Sequence, residues 1–179
     1  MSPQPLFLGS WLASLILLSV AAGMDLTHRR IPNEIVAAVA AIGLTQGIIA
    51  KPGQVWLSLL VAFILLFGLG TLAHHQVIGG GDAKLISAVT LLVPSEGVGQ
   101  LLIDIALAGG VVSCIYLLAR YALGSLTAAS SGAREVARPE SGFALTIRTE
   151  RVRIAAGGPL PYALAVWGGA LIYVTRELV

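Results

Sequence analysis

The stretch Val55–Ala73 reads VWLSLLVAFILLFGLGTLA and contains no Asp, Glu, Lys or Arg. A bilayer core about 30 Å thick is crossed by about 20 apolar residues in a helix, and this run meets that requirement. Its surroundings extend the reading to the whole chain. The 179 residues are 56% hydrophobic and 11% charged, with a mean hydropathy of +0.88. A soluble domain carries about 25% charged residues, so these charges are too few to cover a globular surface in water. Further apolar segments lie at about Leu6–Met24, Glu34–Ala50, Ala83–Val93, Gln100–Tyr121 and Gly158–Thr175. The expected fold is all-α: a polytopic membrane helix bundle with about six transmembrane helices, in one membrane-embedded domain over residues 1–179. The segment Ala83–Val93 is short for a full crossing and would extend, thin the bilayer, or end under cover of its neighbours. No basic region precedes Leu6–Met24, so it reads as a retained span rather than a signal peptide.

Short turns carrying Pro and Gly, Lys51–Gln54 and Pro94–Gly97, join several of these segments. The exception is Gly124–Gly157, which is too polar to span and reads as a solvated cytoplasmic connector with a flexible first half. Its second half, Phe143–Ile154, alternates Arg with apolar residues and is able to lie along a membrane surface. With the N-terminus outside, nine of the eleven Lys and Arg fall on the cytoplasmic side, the bias the positive-inside rule requires. The single cysteine, Cys114, excludes an intramolecular disulfide and a CxxC zinc pair. No cofactor, metal or nucleic-acid partner is expected; the lipid bilayer is.

Beyond the C-terminal end of Val55–Ala73 come His74, His75 and then Gly79-Gly80-Gly81-Asp82. Adjacent histidines diverge by about 100° on a helix, so at most one joins a metal site, and a polar cap at the membrane surface fits both. An acid at the edge of hydrocarbon is a functional-site hypothesis by default. Two readings of the glycine run stand side by side. It gives the backbone room to dock an extended peptide beside Asp82, or it is a tight turn with Asp82 as the N-cap of the next helix. Phosphate binding is disfavoured, because the Lys-Ser/Thr pair of a P-loop is absent and a carboxylate repels the anion. Lys84, two positions after Asp82, reads as an interfacial anchor.

In the other direction, Asp25 follows Met24 and opens Asp25-Leu26-Thr27-His28-Arg29-Arg30-Ile31-Pro32-Asn33. The arginines face an anionic leaflet, Pro32 restrains the chain, and Asn33 suits the N-cap of the following helix. A bare topology signal accounts for those residues but not for the acid. The charge bias puts Asp25 and Asp82 at the same membrane face. Two carboxylates within a few Å share a proton, the arrangement with which aspartic proteases activate water and polarise a peptide carbonyl.

The run from Asp25 to Ile31-Pro32-Asn33, the Gly79-x-Gly81-Asp82 motif continuing into Ala83-Lys84-Leu85, and the Pro161-Tyr162 pair before the last segment resemble the bacterial prepilin peptidases. These are GxGD-type intramembrane aspartic endopeptidases. The resemblance runs from about Met24 to about Gly169. It implies removal of the leader peptide of type IV prepilins or pseudopilins at the cytoplasmic face of the inner membrane. It implies Asp25 and Asp82 as the catalytic pair, the glycines Gly79, Gly80 and Gly81 as shapers of the loop, and Pro161 and Tyr162 as lining. Larger relatives carry paired CxxC motifs in an N-terminal cytoplasmic region and also N-methylate the product. This chain starts at a span and has one Cys, so peptidase activity without methyltransferase activity is expected. The short form is most similar to the peptidases of tight-adherence (Flp) pilus systems. Presenilin-like proteases place the first acid in a Tyr-Asp pair, whereas Met24 precedes Asp25 here. The competing readings are a non-catalytic membrane component of a pilus or secretion machine, and a small proton-coupled transporter in which Asp104 joins the two acids as a relay.

Overall fold

Six α-helices account for most of the residues that the computed structural model describes, which are 4–50, 52–129 and 160–178. They are α1 (Gln4–His28), α2 (Asn33–Ala50), α3 (Val55–His74), α4 (Gly80–Thr90), α5 (Val98–Ala129) and α6 (Tyr162–Leu178). Single 3₁₀ turns at Pro52–Gln54 and Ser95–Gly97 start the turns into α3 and α5, and no strand occurs among the described residues. Four of the helices are long and apolar enough to cross a membrane: α1, α2, α3 and α5.

The fourth segment resolves differently. Helix α4 has 11 residues, about 16 Å at the helical rise, roughly half a bilayer core. Ala83 and every residue from Leu85 to Thr90 are buried. It packs against α3, α2 and α6. An apolar helix too short to span is stable here because neighbouring helices, not lipid, cover its sides. Helix α3 is the opposite case. It packs mainly on α4, buries only Ala62, and turns Trp56, Phe63 and Phe67 outward.

Two boundaries differ from the sequence-based expectation. Helix α1 continues past Met24 to His28, so Asp25 lies inside its last turns rather than after its end. Helix α5 runs on to Ala129, so Gly124–Ala129, expected to begin a flexible connector, is helical. The rest of that connector, including Phe143–Ile154, and Gly158 ahead of α6 lie outside the described residues.

The most extensive helix interface joins α5 and α6, and small residues permit it. Ala165 approaches the Cβ position of Gly109 at 3.4 Å and Ala108 that of Gly168 at 3.2 Å. A Cβ on Gly169 would fall on the backbone N and Cα of Ile105. Backbones this close gain dispersion contacts that branched side chains would forbid. Gly169→Ala is expected to destabilise the protein by about 1–3 kcal/mol through overpacking, whereas Gly110→Ala, which meets open space, is expected to be neutral. Thermal unfolding of both variants in detergent checks the contrast.

At the far end of the same pair, Asp104 is fully buried. It accepts from Gln100 Nε2 at 3.1 Å and pairs with Arg176 at 3.1 Å. Arg176 lies 14 residues beyond Tyr162 on α6, about 21 Å along the helix axis. Asp104 therefore ties α5 to α6 at the end of α6 remote from Tyr162, rather than standing as an interfacial acid or joining Asp25 and Asp82.

Candidate active site

Asp25 belongs to a buried stripe of α1: Trp11, Ser14, Leu18, Ala21, Ala22 and Asp25 are all buried. Their spacing follows one face of an α-helix, and this helix packs against α6 and α2. An acid placed on the packed stripe is held inside the protein. The chain then leaves the helix sharply. Arg29 adopts a left-handed backbone, φ 55°, with its N–H donating to the Asp25 carbonyl at 3.0 Å. Such a conformation is uncommon for a non-glycine residue. It turns the chain into Ile31 and Pro32, whose carbonyl accepts from the N–H groups of Ile35 and Val36.

Asp82 sits in the first turn of α4. Gly79, extended at ψ 137°, is the N-cap residue, and Asp82 is the third helical residue rather than the cap. Its carboxylate accepts from the Gly79 N–H, the reciprocal half of a capping box, and the Ala83 N–H donates to the Gly79 carbonyl at 3.1 Å. The three glycines are not equivalent. A Cβ on Gly79 would lie 2.5 Å from Asp82 Oδ2, and one on Gly81 would lie 3.4 Å from Ile31 Cβ. A Cβ on Gly80 would meet nothing within 4 Å, so the expectation that all three shape the loop narrows to Gly79 and Gly81.

The third wall is the start of α6. Pro161 is fully buried, and its carbonyl accepts from the Leu164 N–H at 3.3 Å. The Ala163 N–H donates to Asp25 Oδ2 at 3.3 Å, so the positive end of the α6 dipole points at that carboxylate. Tyr162 is half-buried and within reach of the Asp82 charge. Three helix ends thus converge, and two carboxylates lie between them.

The electrostatics follow from that convergence. Burial, and then the charge of Asp25, push the Asp82 carboxyl up from 3.8 to about 6, against the opposing pull of the Gly79 N–H and of Arg29. Sequence reasoning had turned Arg29 toward lipid headgroups. Here it is half-buried, with Nε and Nη1 shielded from solvent. Lys84 Nζ donates to Asn33 Oδ1 at 3.2 Å, so Asn33, expected as an N-cap, serves instead as a link between α2 and α4. His74 and His75 stay exposed at the end of α3. Among the described residues no three His, Cys, Asp or Glu gather as metal ligands. The Ala163 donor is the part of the site that side-chain patterns least reveal, because it is a backbone group.

Over residues 12–126 the chain matches the family model of the type IV leader peptidases. It belongs to the type IV leader peptidase family. The matched span holds Asp25, the glycine run and Asp82, and it stops short of α6. No curated protein and no solved structure matches the chain. Membership makes the protein peptidase-like and gives a chemical context for two carboxylates at converging helix ends.

Proposed function

We propose that this leader peptidase family member is an intramembrane aspartic endopeptidase that removes the leader of type IV prepilins or pseudopilins. The observation that carries the reading is the juxtaposition of Asp25 and Asp82, each held by a backbone N–H at a helix start. In the proposed reaction one carboxylate takes a proton from a water molecule, whose oxygen attacks the scissile carbonyl. The other carboxyl gives its proton to the carbonyl oxygen. Collapse of the tetrahedral intermediate breaks the C–N bond, and the departing amine takes up the proton first removed from water. Asp82, with its raised value, is assigned the protonated role and Asp25 the base. The exposed Gly80 beside them leaves room for an extended substrate backbone. Pro161 and Tyr162 are assigned to the lining.

The protein is assigned to the bacterial inner membrane with its N-terminus outside and the acid pair on the cytoplasmic side, on the distribution of Lys and Arg. Helices α4 and α6 complete the bundle beside the four longer spans. Methyltransferase activity is not assigned to this chain, whose one cysteine leaves it without paired CxxC motifs. The test is incubation of the detergent-solubilised protein with a membrane-anchored prepilin, followed by N-terminal sequencing and mass measurement of the product. The expected result is a single cut just before the apolar helix, with an unmethylated new N-terminus. Folded protein that leaves several such substrates intact would refute the reading and favour a scaffold or transporter.

A pair that works with one proton loses it at high pH. Because the free protein holds Asp82 at about 6, kcat/KM is expected to fall as pH rises past that value, by up to about tenfold per unit. A pH–rate profile taken well below saturation checks this. A rate that climbs from pH 6 to 9 would exclude Asp82 as the proton donor.

A further inference from the structure

The turn between α1 and α2 touches the start of α4 at three points. Ile31 packs where Gly81 leaves space, Asn33 accepts from Lys84, and the shielded guanidinium of Arg29 faces Asp82. The left-handed Arg29 backbone, bonded to the Asp25 carbonyl, connects this clamp directly to the other acid. We propose that Arg29 is a positioning residue for the acid pair: it fixes Asp82 against Asp25 and sets how tightly the pair holds its proton.

A residue needed only to turn the chain would have no reason to keep a long cationic side chain folded inward, where its desolvation is costly. Arg30, the next residue, is exposed and carries the same charge toward solvent. The other titratable groups near the pair are Tyr162 at the start of α6 and Lys84 on α4, the latter engaged with Asn33. His28, Arg30 and Glu34 are exposed. Arg29 is therefore the inward-facing cation of the turn that acts on Asp82, and its removal moves the proton affinity of the pair in a definite direction. An Asp82 without that cation holds its proton to higher pH.

The proposal rests on the peptidase reading for its activity readout only, and a second readout is independent of cleavage. With the full-length protein and a prepilin substrate, Arg29→Gln is expected to lower kcat at least tenfold and to move the alkaline limb of kcat/KM upward by roughly one pH unit. Arg29→Lys is expected to restore the limb and part of the rate, and Arg30→Gln to match the wild type. In parallel, the melting temperature is followed from pH 4 to 8 for the wild type, Arg29→Gln, Asp82→Asn and the double variant. Because Arg29→Gln raises the Asp82 value further, its loss of stability on going to high pH is expected to exceed that of the wild type. That excess is expected to vanish in the Asp82→Asn background. A uniform loss of rate with an unmoved limb, or an excess that persists without Asp82, overturns the proposal and leaves Arg29 a residue of the turn. If the wild type cleaves nothing while the Asp82-dependent excess is present, the peptidase reading fails and the coupling of Arg29 to Asp82 stands.

Discussion

Asp25→Asn and Asp82→Asn are each expected to lower leader cleavage by about 10³-fold or more, because each removes one partner of proton transfer, while the protein still inserts and folds. Asparagine keeps the shape of the carboxylate and an oxygen able to accept from the Ala163 or Gly79 N–H, so the helix ends retain their bonds. Stability separates a chemical defect from a folding one. The Asp82 carboxyl is raised in the folded protein from 3.8 to about 6. The folded state therefore binds this proton more tightly than the unfolded chain does. The stability linked to it is present in full below about 3.8 and is lost as pH rises through about 6. At neutral pH the ionised Asp82 is a strained group, and Asp82→Asn is expected to melt no lower than the wild type and to flatten the pH dependence between those values. Purified variants assayed for cleavage and for thermal unfolding at pH 5 and 7.5 decide the matter. An Asp82→Asn protein with wild-type cleavage would end the dyad reading, and one that unfolds more readily at pH 7.5 would show that the strain is absent.

Gly79→Ala is expected to cost roughly 10²-fold in kcat, the scale on which a displacement of about 1 Å matters, while Gly80→Ala keeps most of the activity. The reason is steric. The new methyl group at 79 would stand 2.5 Å from Asp82 Oδ2 and force the carboxylate away from Asp25, whereas position 80 has no atom within 4 Å. The Gly79 backbone itself, at φ −70°, suits alanine, so the loss would not come from backbone strain. Gly81→Ala meets Ile31 Cβ at 3.4 Å and is expected to fall between the two. Initial rates at saturating substrate read the order Gly80, Gly81, Gly79 from mildest to most severe. Equal losses at positions 79 and 80 would contradict the geometry.

The bundle and its acids were legible in the sequence to different degrees. Apolar length alone locates α1, α2, α3 and α5, because a bilayer imposes one crossing distance on all of them. The ends are less legible: α1 runs through Asp25 to His28, and α5 runs through Gly124 to Ala129. The helical hydrogen-bond ladder does not stop where hydrophobicity stops. Asp25 and Asp82 stood out because an acid beside hydrocarbon needs a reason. Arg29 was hidden by a sufficient alternative, since a basic pair after a span already serves as a topology signal. Asp104 was hidden similarly: nothing in its local sequence announces that Arg176, far along the chain, reaches it from α6.

The residue order by itself determined that this chain partitions into a membrane as helices and which two carboxylates were worth asking about. Both follow from transfer free energies summed over short windows, which need no knowledge of distant contacts. The tertiary structure alone decided that α4 is an interior helix, that Asp25 receives a backbone N–H from α6, and that its charge acts on Asp82. Those features depend on how close helices from distant parts of the chain approach, and that is set by packing at Gly43, Gly81 and Gly169 rather than by the hydrophobicity of any one segment.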